Sequence, residues 1–337
     1  MQLYENFSLK AHNTFGIDAK ARFFVEYDTE AELSELLRSE LLRSHKLLSI
    51  GGGSNLLFTQ DFDGVVLHSQ LKGIELIDET ENEVLVRAGA GVVWDDFVAH
   101  CVANSWYGAE NLSNIPGEIG ACAVQNIGAY GVEAKDIVSE VEGLDVATVE
   151  PRVLSNSECH FAYRDSVFKH ELAGKFIVTS VLFRLSKQAD FKLDYGSLRE
   201  EIATYGEPSL HTVRQAVIAI RVAKLPDPKE QGNGGSFFKN PVISAEKFAE
   251  LKKEYPDIPS YPLPAGEVKI PAAWLIEQCG WKGRSVGNAA VHSKQALVLI
   301  NRNGQATGQE IVELSKQIRA SVRSKFGVEI SPEVIFL

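Results

Sequence analysis

Several features are scarce or missing in this sequence of 337 residues, and each absence argues against a class of function. No apolar run approaches the roughly 20 residues that a membrane-spanning helix needs, so no membrane insertion is expected. The amino-terminal stretch has no charged segment followed by an apolar one, so no signal peptide is predicted. Basic residues number 34 against 45 acidic ones, and the net charge of −11 argues against a nucleic-acid partner. A local basic pocket for a phosphorylated small molecule remains compatible with this charge.

Cysteine and metal-binding patterns are also sparse. The four cysteines, Cys101, Cys122, Cys159 and Cys279, are widely spaced and form no CxxC pair. This spacing predicts reduced, mostly packed thiols in a cytoplasmic protein. The eight histidines form neither HExxH nor a close His/Cys pair, so no metal site is expected.

What the chain does have is a loop of unusual composition at 224–241, KLPDPKEQGNGGSFFKNP. Three prolines, three glycines and two asparagines exclude an ordinary helix or central strand. The loop then runs through Ser236 into Phe237 and Phe238, whose rings predict that it is pinned to a core. A pinned loop that carries a hydroxyl is a candidate ligand-binding loop, although its composition fits a plain connector equally well.

Two further glycine-rich stretches suggest close approach of the backbone to a ligand. GGGSN at 51–55 follows a short apolar strand and could surround a phosphate with backbone N–H groups. The block at 108–131 has five glycines, few charges and several small apolar residues, which favours packing against a flat ligand. The alternatives are a tight turn at 51–55 and a glycine-rich core crossover at 108–131.

Hydrophobic spacing predicts a mixed α and β chain. Helices are predicted at 29–43, 94–103, 210–223, 244–255, 272–279 and 307–326. Strands are predicted at 21–27, 46–50, 64–68, 74–77, 83–88, 138–149, 176–185, 296–301 and 328–336. The first helix and the strands around it form a small βαβ unit, with Thr29 as a helix cap.

Three polar residues stand in apolar or glycine-rich settings: Arg164, Ser236 and Glu333. Each has a plain structural interpretation, as an ion-pair partner, a turn residue and a partner of a backbone donor. Together they could form a site in which the arginine neutralises a carboxylate, the glutamate polarises the substrate and the serine transfers a proton. Ser236 lies in GSFF and not in GxSxG, which disfavours nucleophilic hydrolysis.

Seven motifs, in order over essentially the whole chain, carry a resemblance to a known family. They are NTFGID at 13–18, GGGSN at 51–55, IPGEIGACAVQNIGAYG at 115–131, YRDSVFK at 163–169, KLPDPK at 224–229, GSFFKNP at 235–241 and SPEV at 331–334. On these residues the chain resembles the UDP-N-acetylenolpyruvoylglucosamine reductases, also called UDP-N-acetylmuramate dehydrogenases. Tyr195, in DYGSL, resembles the branch of that family in which a tyrosine loop closes over the substrate.

The resemblance implies an α+β fold. It comprises an FAD-binding fold of the vanillyl-alcohol-oxidase (PCMH) type in two subdomains, plus an inserted α+β substrate-binding domain. The implied boundaries are 1–70 for the first FAD subdomain, 71–223 with 327–337 for the second, and 224–326 for the substrate domain.

The resemblance also implies a reaction in peptidoglycan precursor synthesis, and thereby a part in cell-wall biogenesis, cell shape and division. NADPH reduces a non-covalently bound FAD, and flavin N5 then delivers hydride to the enolpyruvyl ether of UDP-N-acetylglucosamine. Ser236 would supply the proton, while Arg164 and Glu333 would stabilise the enolate. The partners are this enolpyruvate and NADPH.

The binding residues are implied by the same resemblance. The cofactor would be held by Gly51, Gly52, Gly53, Ser54, Asn55, Ile115, Pro116, Gly117, Gly120, Ala121, Asn126, Ile127, Gly128, Ala129, Tyr130 and Gly131. The UDP-sugar would be bound by Tyr163, Tyr195, Lys224, Asn240, Tyr261, Lys269 and Gln295. The alternatives are an FAD-dependent alcohol or sugar oxidase on the same fold, and a sugar-nucleotide-binding protein that has lost its flavin.

Overall fold

The computed structural model describes residues 1–264 and 266–337. Dense internal packing divides them into two units. Unit 1 comprises 1–7, 21–53 and 62–223, and unit 2 comprises 8–20, 54–61 and 224–337. The three-domain boundaries implied by the resemblance stay a prediction.

Helices and short strands occur in both units. The α-helices are α1 Glu30–Arg38, α2 Glu40–Ser44, α3 Trp94–Ala103, α4 Ile119–Gln125, α5 Leu198–Ala203, α6 Leu210–Lys224, α7 Ala245–Glu254, α8 Ala272–Gln278 and α9 Gly308–Phe326. The strands as far as residue 186 are β1 Gln2–Ser8, β2 Lys20–Tyr27, β3 Lys46–Ile50, β4 Leu56–Leu57, β5 Phe62–Ser69, β6 Ile74–Glu79, β7 Glu83–Gly89, β8 Gly128–Ala129, β9 Val132–Glu133, β10 Val138–Asp145, β11 Pro151–Ser155 and β12 Phe176–Ser186. The later strands are β13 Asn233–Ser236, β14 Val242–Ile243, β15 Tyr261–Pro262, β16 Val268–Lys269, β17 Ser285–Val286, β18 Ala289–Val291, β19 Val298–Asn301 and β20 Ile335–Phe336. Single turns of 3-10 helix lie at Lys10–His12, Glu110–Leu112, Ala134–Asp136, Val167–Lys169 and Arg302–Gly304.

The first part of unit 1 is the predicted βαβ arrangement. Its sheet has the order β1-β2-β5-β3, and both β2 and β3 run parallel to β5. The hydroxyl of Thr29 accepts a hydrogen bond from the N–H of Glu32 and caps α1, as predicted. The prediction of one helix over 29–43 is wrong, because Ser39 adopts an extended conformation (ψ 156°) between α1 and α2.

An antiparallel sheet forms the larger part of unit 1, in the order β11-β10-β12-β7-β6. The buried rings of Trp94 and Phe97 on α3 pack with Phe183 of β12, at centroid distances of 4.4 to 5.9 Å. Helix α4 buries Ile119 and Cys122 in the same core. The glycine-rich block at 108–131 therefore contains a helix, which hydrophobic spacing does not predict, because its residues are small.

Unit 2 contains the sheets β13-β19-β18-β17, β14-β16-β15 and β20-β4. Helix α9 begins with a capping box between Thr307 and Glu310 and ends at Gly327, whose φ of 62° suits glycine. Rings of Tyr255 and Trp274 pack against Phe326, the last residue of α9, at 5.0 and 5.7 Å. These contacts fasten α7 and α8 to the long helix.

The carboxyl-terminal segment differs from the predicted strand at 328–336. Only Ile335–Phe336 forms a strand, β20, which runs parallel to β4. Pro332 forms an isolated bridge with Phe238 and has no N–H to continue a ladder. Within residues 1–264 and 266–337, no helix is long and apolar enough to cross a membrane.

Candidate functional site

Two glycine-containing turns of unit 1 approach each other at backbone distance. A Cβ atom on Gly51 would lie 3.2 Å from Oε2 of Glu118, and one on Gly52 would lie 3.4 Å from Cα of Gly117. Gly53 has a φ of +61°. Side chains at these positions would fill the space between the turns, so glycine leaves bare backbone of the kind that surrounds phosphates and flat rings.

The segment at 126–131 is rigidly braced. The buried side chain of Asn126, in the left-handed region at φ 45°, donates from Nδ2 to Glu133 Oε2 at 3.0 Å and to the carbonyl of Ala162 at 2.8 Å. Its Oδ1 accepts from the N–H of Lys135 at 3.1 Å. The side-chain amide of Asn126, a predicted cofactor residue, therefore has three protein partners and stabilises the conformation of the segment at 126–131.

Arg164 lies on a turn of unit 1 with its guanidinium over the same segment. Nη2 donates to the carbonyl of Gly128 at 2.6 Å, and the guanidinium carbon lies 5.4 Å from the centre of the Tyr163 ring. A Cβ on Gly128 would come within 2.9 Å of Nη1, so glycine is needed for this approach. Arg164 itself has a φ of 55°, an unfavourable conformation for a non-glycine residue. Strain of this kind occurs frequently at functional sites.

Two tyrosines of unit 1 lie close to the braced segment. The rings of Tyr130 and Tyr195 meet edge to face at 6.0 Å. Tyr195 is half exposed, whereas burial raises the pKa of the Tyr130 hydroxyl. The predicted tyrosine loop is thus connected to a predicted cofactor residue.

Ser236 and Glu333 are brought together within unit 2. Ser236 is the exposed last residue of β13, opposite Val298 of β19. The N–H of Glu333 donates to the carbonyl of Phe237 at 2.8 Å, and the N–H of Lys239 donates to the carbonyl of Ser331 at 2.9 Å. Two of the three predicted catalytic residues therefore lie on neighbouring hydrogen-bonded segments. Arg164 belongs to unit 1, and its joint action with them stays a prediction.

The loop before Ser236 is pinned, as predicted. The buried side chain of Asn233 donates to the carbonyls of Pro226 and Gln231 at 3.2 and 2.8 Å and accepts from the N–H of Gly235 at 2.8 Å. Phe237 is fully buried and its ring meets that of Phe15 edge to face at 6.2 Å. The hydrogen bonds of Asn233 and the buried ring of Phe237 therefore fix the backbone on both sides of Ser236.

Four predicted substrate residues of unit 2 lie beside this loop or on the small sheet β14-β16-β15. Tyr261 is paired with Lys269, and Tyr261 is about half exposed. Oδ1 of Asn240 accepts from the N–H of Ala272 at 2.9 Å, at the start of α8. Gln295 lies in the turn before β19, where its carbonyl accepts from the N–H of Val298.

Lys224, a predicted substrate residue, and Ser54 and Asn55, two predicted cofactor residues, lie near the ends of their segments. Lys224 is the exposed last residue of α6. Ser54 and Asn55 belong to unit 2, where the carbonyl of Ser54 accepts from the hydroxyl of Thr14 at 3.4 Å. Nδ2 of Asn55 donates to the carbonyl of Glu333 at 3.2 Å, which connects this turn with the segment at 331–333.

Comparisons with known proteins agree over the whole chain. Residues 21–155 match the FAD binding domain model, and residues 227–337 match the model of the UDP-N-acetylenolpyruvoylglucosamine reductase C-terminal domain. The UDP-N-acetylenolpyruvoylglucosamine reductase of Bacteroides fragilis strain YCH46 is 54% identical over 333 residues, 99% of each chain. That of Porphyromonas gingivalis strain ATCC 33277 is 46% identical over 341 residues, all of both chains.

The chain belongs to the UDP-N-acetylenolpyruvoylglucosamine reductase family.

The family membership confirms the predicted enzyme class, an oxidoreductase, and the FAD-binding fold class. The crystal structure of the UDP-N-acetylenolpyruvylglucosamine reductase from Thermus caldophilus has the same fold, with a TM-score of 0.69, 21% sequence identity and coverage of 99% and 98% of the two chains. The residues present are compatible with an FAD molecule, since Gly51, Gly52 and Gly128 carry no side chain and leave bare backbone beside closely packed protein groups. Among the residues that the structure describes, no group of three or more His, Cys, Asp or Glu side chains could hold a metal ion.

Sequence reasoning missed the polar contacts that brace the loop at 113–117. Both terminal nitrogens of Arg214, Nη1 and Nη2, donate to the carboxylate of Asp95 at 2.7 and 2.8 Å. Nε of Arg221 donates to the carbonyl of Asn114 at 3.0 Å. Burial alone would raise the pKa of Asp95, but hydrogen bonds from Arg214 and the Asn114 N–H outweigh it and lower the pKa. The seven-residue spacing of the two arginines on α6, which puts them on one face, was the available signal.

Proposed function

We propose that this family member catalyses the NADPH-dependent reduction of the enolpyruvyl ether of UDP-N-acetylglucosamine to UDP-N-acetylmuramate, a step of peptidoglycan precursor synthesis. The observation that carries the proposal is the exposed Ser236, on a loop whose backbone is hydrogen-bonded to the segment of Glu333. The names of the relatives, which identify them as reductases of this ether, support the substrate class.

The proposed cofactor is a non-covalently bound FAD, with NADPH as the co-substrate. When bound, FAD supplies the hydride that it has received from NADPH. The chain would hold it through the bare backbone of the turn at 51–53 and of the segments at 115–121 and 126–131. The segment at 126–131 is already fixed by hydrogen bonds of the Asn126 side chain, so little ordering of this segment is required on binding.

The proposed role of Ser236 is to give its hydroxyl proton to the substrate carbon that bears the carboxylate. A serine hydroxyl is a weak acid, and it becomes effective only toward a strongly basic enolate. Arg164 would stabilise the negative charge through its planar fork, and Glu333 would contribute the second polarising contact. Side-chain hydrogen bonds of Asn233 and backbone hydrogen bonds of Phe237 and Lys239 hold the Ser236 loop in position for this role.

The proposed sugar-nucleotide contacts are Tyr163, Tyr195, Lys224, Asn240, Tyr261, Lys269 and Gln295. Lys224 and Lys269 would act as point charges toward the pyrophosphate. Exposure of Tyr195 and Tyr261 supports contact with a soluble ligand. We place the reaction in the cytoplasm, because NADPH and nucleotide sugars are available there.

The experiment separates the two halves of the reaction in Ser236→Ala. Stopped-flow absorbance should show flavin reduction by NADPH at nearly the wild-type rate. Reoxidation by the enolpyruvyl substrate should fall by about 10²- to 10⁴-fold, the usual contribution of a positioned proton donor.

The matched control is Ser321→Ala, which removes a hydroxyl bound to the carbonyl of Gln317 on α9. Both half-reactions should be unchanged in this variant. Equal loss of both half-reactions in Ser236→Ala would contradict the proton-donor role. Oxygen consumption with simple alcohols, together with indifference to NADPH, would contradict the proposed reaction as a whole.

A further inference from the structure

A buried histidine of unit 1 lies between two carboxylates. His68 on β5 pairs directly with Glu26 on β2, and its Nδ1 lies 2.9 Å from Glu26 Oε1. Its Nε2 lies 3.1 Å from Oε1 of Glu118, which precedes α4. Only 8% of His68 and 8% of Glu118 is exposed. Neither carboxylate donates hydrogen bonds when ionised, so both contacts are satisfied at once only by an imidazolium.

Glu118 depends on this histidine for its buried position. Its second oxygen, Oε2, is buried and has no hydrogen-bond partner among the described residues, and a Cβ on Gly51 would come within 3.2 Å of it. Lys72 is the other nearby cation, with Nζ 3.9 Å from Oε1 and about half of its side chain exposed. A buried carboxylate without a compensating charge is strongly destabilising, so the hydrogen-bonded imidazolium is the main counter-charge.

The remaining groups around the ring do not replace that charge. Nε2 of Gln70 donates to Glu26 Oε1 at 2.7 Å and lies 3.1 Å from Nδ1 of His68. The aromatic ring of Phe24 lies 6.1 Å from the imidazole. Burial by itself lowers the pKa of His68, but the hydrogen bonds and charges of Glu118 and Glu26 outweigh it, and the pKa is raised above its ordinary value.

We propose that His68 is a positioning residue which, as an imidazolium, holds Glu118 and its turn against the glycine turn at 51–53 and thereby strengthens FAD binding. The inference rests on the proposed FAD site, because those two turns carry predicted cofactor residues. Loss of the proton leaves the buried Glu118 carboxylate beside a neutral ring, with Lys72 at 3.9 Å as its remaining nearby cation, so the contact between the two turns weakens. The stabilising contact is complete at low pH and is lost as the pH rises through the raised pKa of His68.

The test is the dissociation constant of FAD from apoprotein, measured by flavin fluorescence across pH. At about pH 6, His68→Gln should bind FAD on the order of tenfold more weakly than wild type, the factor that one pKa unit represents. At about pH 9, where the wild-type imidazole has lost its proton and His68→Gln has none to lose, the two constants should converge. A purely structural effect of the substitution would persist at both pH values.

Two further variants make the result decisive. Glu118→Gln keeps the shape of the side chain but removes the charge. The FAD affinity of this variant should therefore show no change over the pH range in which His68 titrates. His45→Gln is the matched control, since Nδ1 of His45 contacts the carbonyl of Leu41 and the hydroxyl of Ser44 and no carboxylate; it should follow wild type. Circular dichroism of each apoprotein checks folding.

Two outcomes separate this inference from the proposed function. If wild type binds FAD but its pH profile coincides with that of His68→Gln, the positioning role is wrong and the FAD site stands. If wild type binds no FAD at any pH, the proposed function fails first. A ring titration of His68 by NMR at or below its ordinary pKa would also overturn the inference.

Discussion

At the scale of single residues, Arg164 illustrates what the sequence could and could not predict. Its motif, YRDS, identified it as a charged residue among apolar neighbours. The left-handed backbone at φ 55° and the bond to Gly128 depend on a glycine 36 positions earlier in the chain, which no local pattern indicates. The residue type was therefore predictable, whereas its fixed orientation required the fold.

Arg164→Lys should lower turnover strongly, because an ammonium cannot reproduce the two-pronged guanidinium contact with a carboxylate. We expect reoxidation of the flavin by the enolpyruvyl substrate to slow by about 10²- to 10³-fold, as for loss of one transition-state donor. Stopped-flow absorbance provides the measurement. Arg152→Lys, at an exposed ion pair with Asp145 of 3.4 Å, is the control. Nearly full turnover in Arg164→Lys would argue against a carboxylate partner.

At the scale of elements, predictions succeeded where local chemistry determines the structure. The helix over 307–326 was predicted from apolar spacing, and its capping box confirms where it begins. Helix α4 was missed because Gly120, Ala121 and Ala123 hide the apolar face in IGACAVQ. The segment at 328–334 lies within the strand that was predicted from its strong apolar alternation. Its backbone forms only an isolated bridge with the Ser236 loop, and not a continuous ladder of hydrogen bonds.

Thr307→Ala should lower the free energy of unfolding by about 1 kcal/mol, through loss of the hydroxyl that accepts from the N–H of Glu310. Chemical denaturation of the FAD-free protein gives this value. Backbone hydrogen bonds from Thr307 and Asn288 lower the pKa of Glu310. The contribution of the ionised Glu310 carboxylate to the free energy of unfolding is therefore present at neutral pH. It is lost as the pH falls through that lowered pKa.

Ser321→Ala in the middle of the same helix is the control for Thr307→Ala, since alanine favours helix and the hydroxyl caps nothing. It should leave stability nearly unchanged or raise it slightly. Equal destabilisation by the two substitutions would show that the capping hydroxyl has no special role.

At the scale of the whole molecule, both units are assembled from separated stretches of chain. Three segments form unit 1 and three form unit 2. Composition and charge predicted the broad class of protein, and ordered motifs predicted the family. The interleaving of segments was not predictable from periodicity, because it depends on pairings such as Ile335 of β20 with Leu56 of β4, which are 279 residues apart.

FAD should raise the melting temperature of the FAD-free protein, and the shift should grow with the logarithm of the FAD concentration once this exceeds the dissociation constant. At 100 times the dissociation constant the added stability is about 2.7 kcal/mol, because the ligand binds the folded state. Differential scanning fluorimetry or calorimetry measures the shift. FMN, which lacks the adenosine half, is the control and should shift the melting temperature less. A melting temperature independent of FAD would contradict the cofactor assignment.

The pairing of 331–333 with 237–239 also bears on how the protein is made in the cell. Synthesis proceeds from the amino terminus, so the loop with Ser236 emerges from the ribosome long before the residues that fasten it. Until Glu333 has been synthesised, the Ser236 loop lacks its neighbouring segment. All segments of unit 1 are therefore synthesised before the Ser236 loop can be fastened.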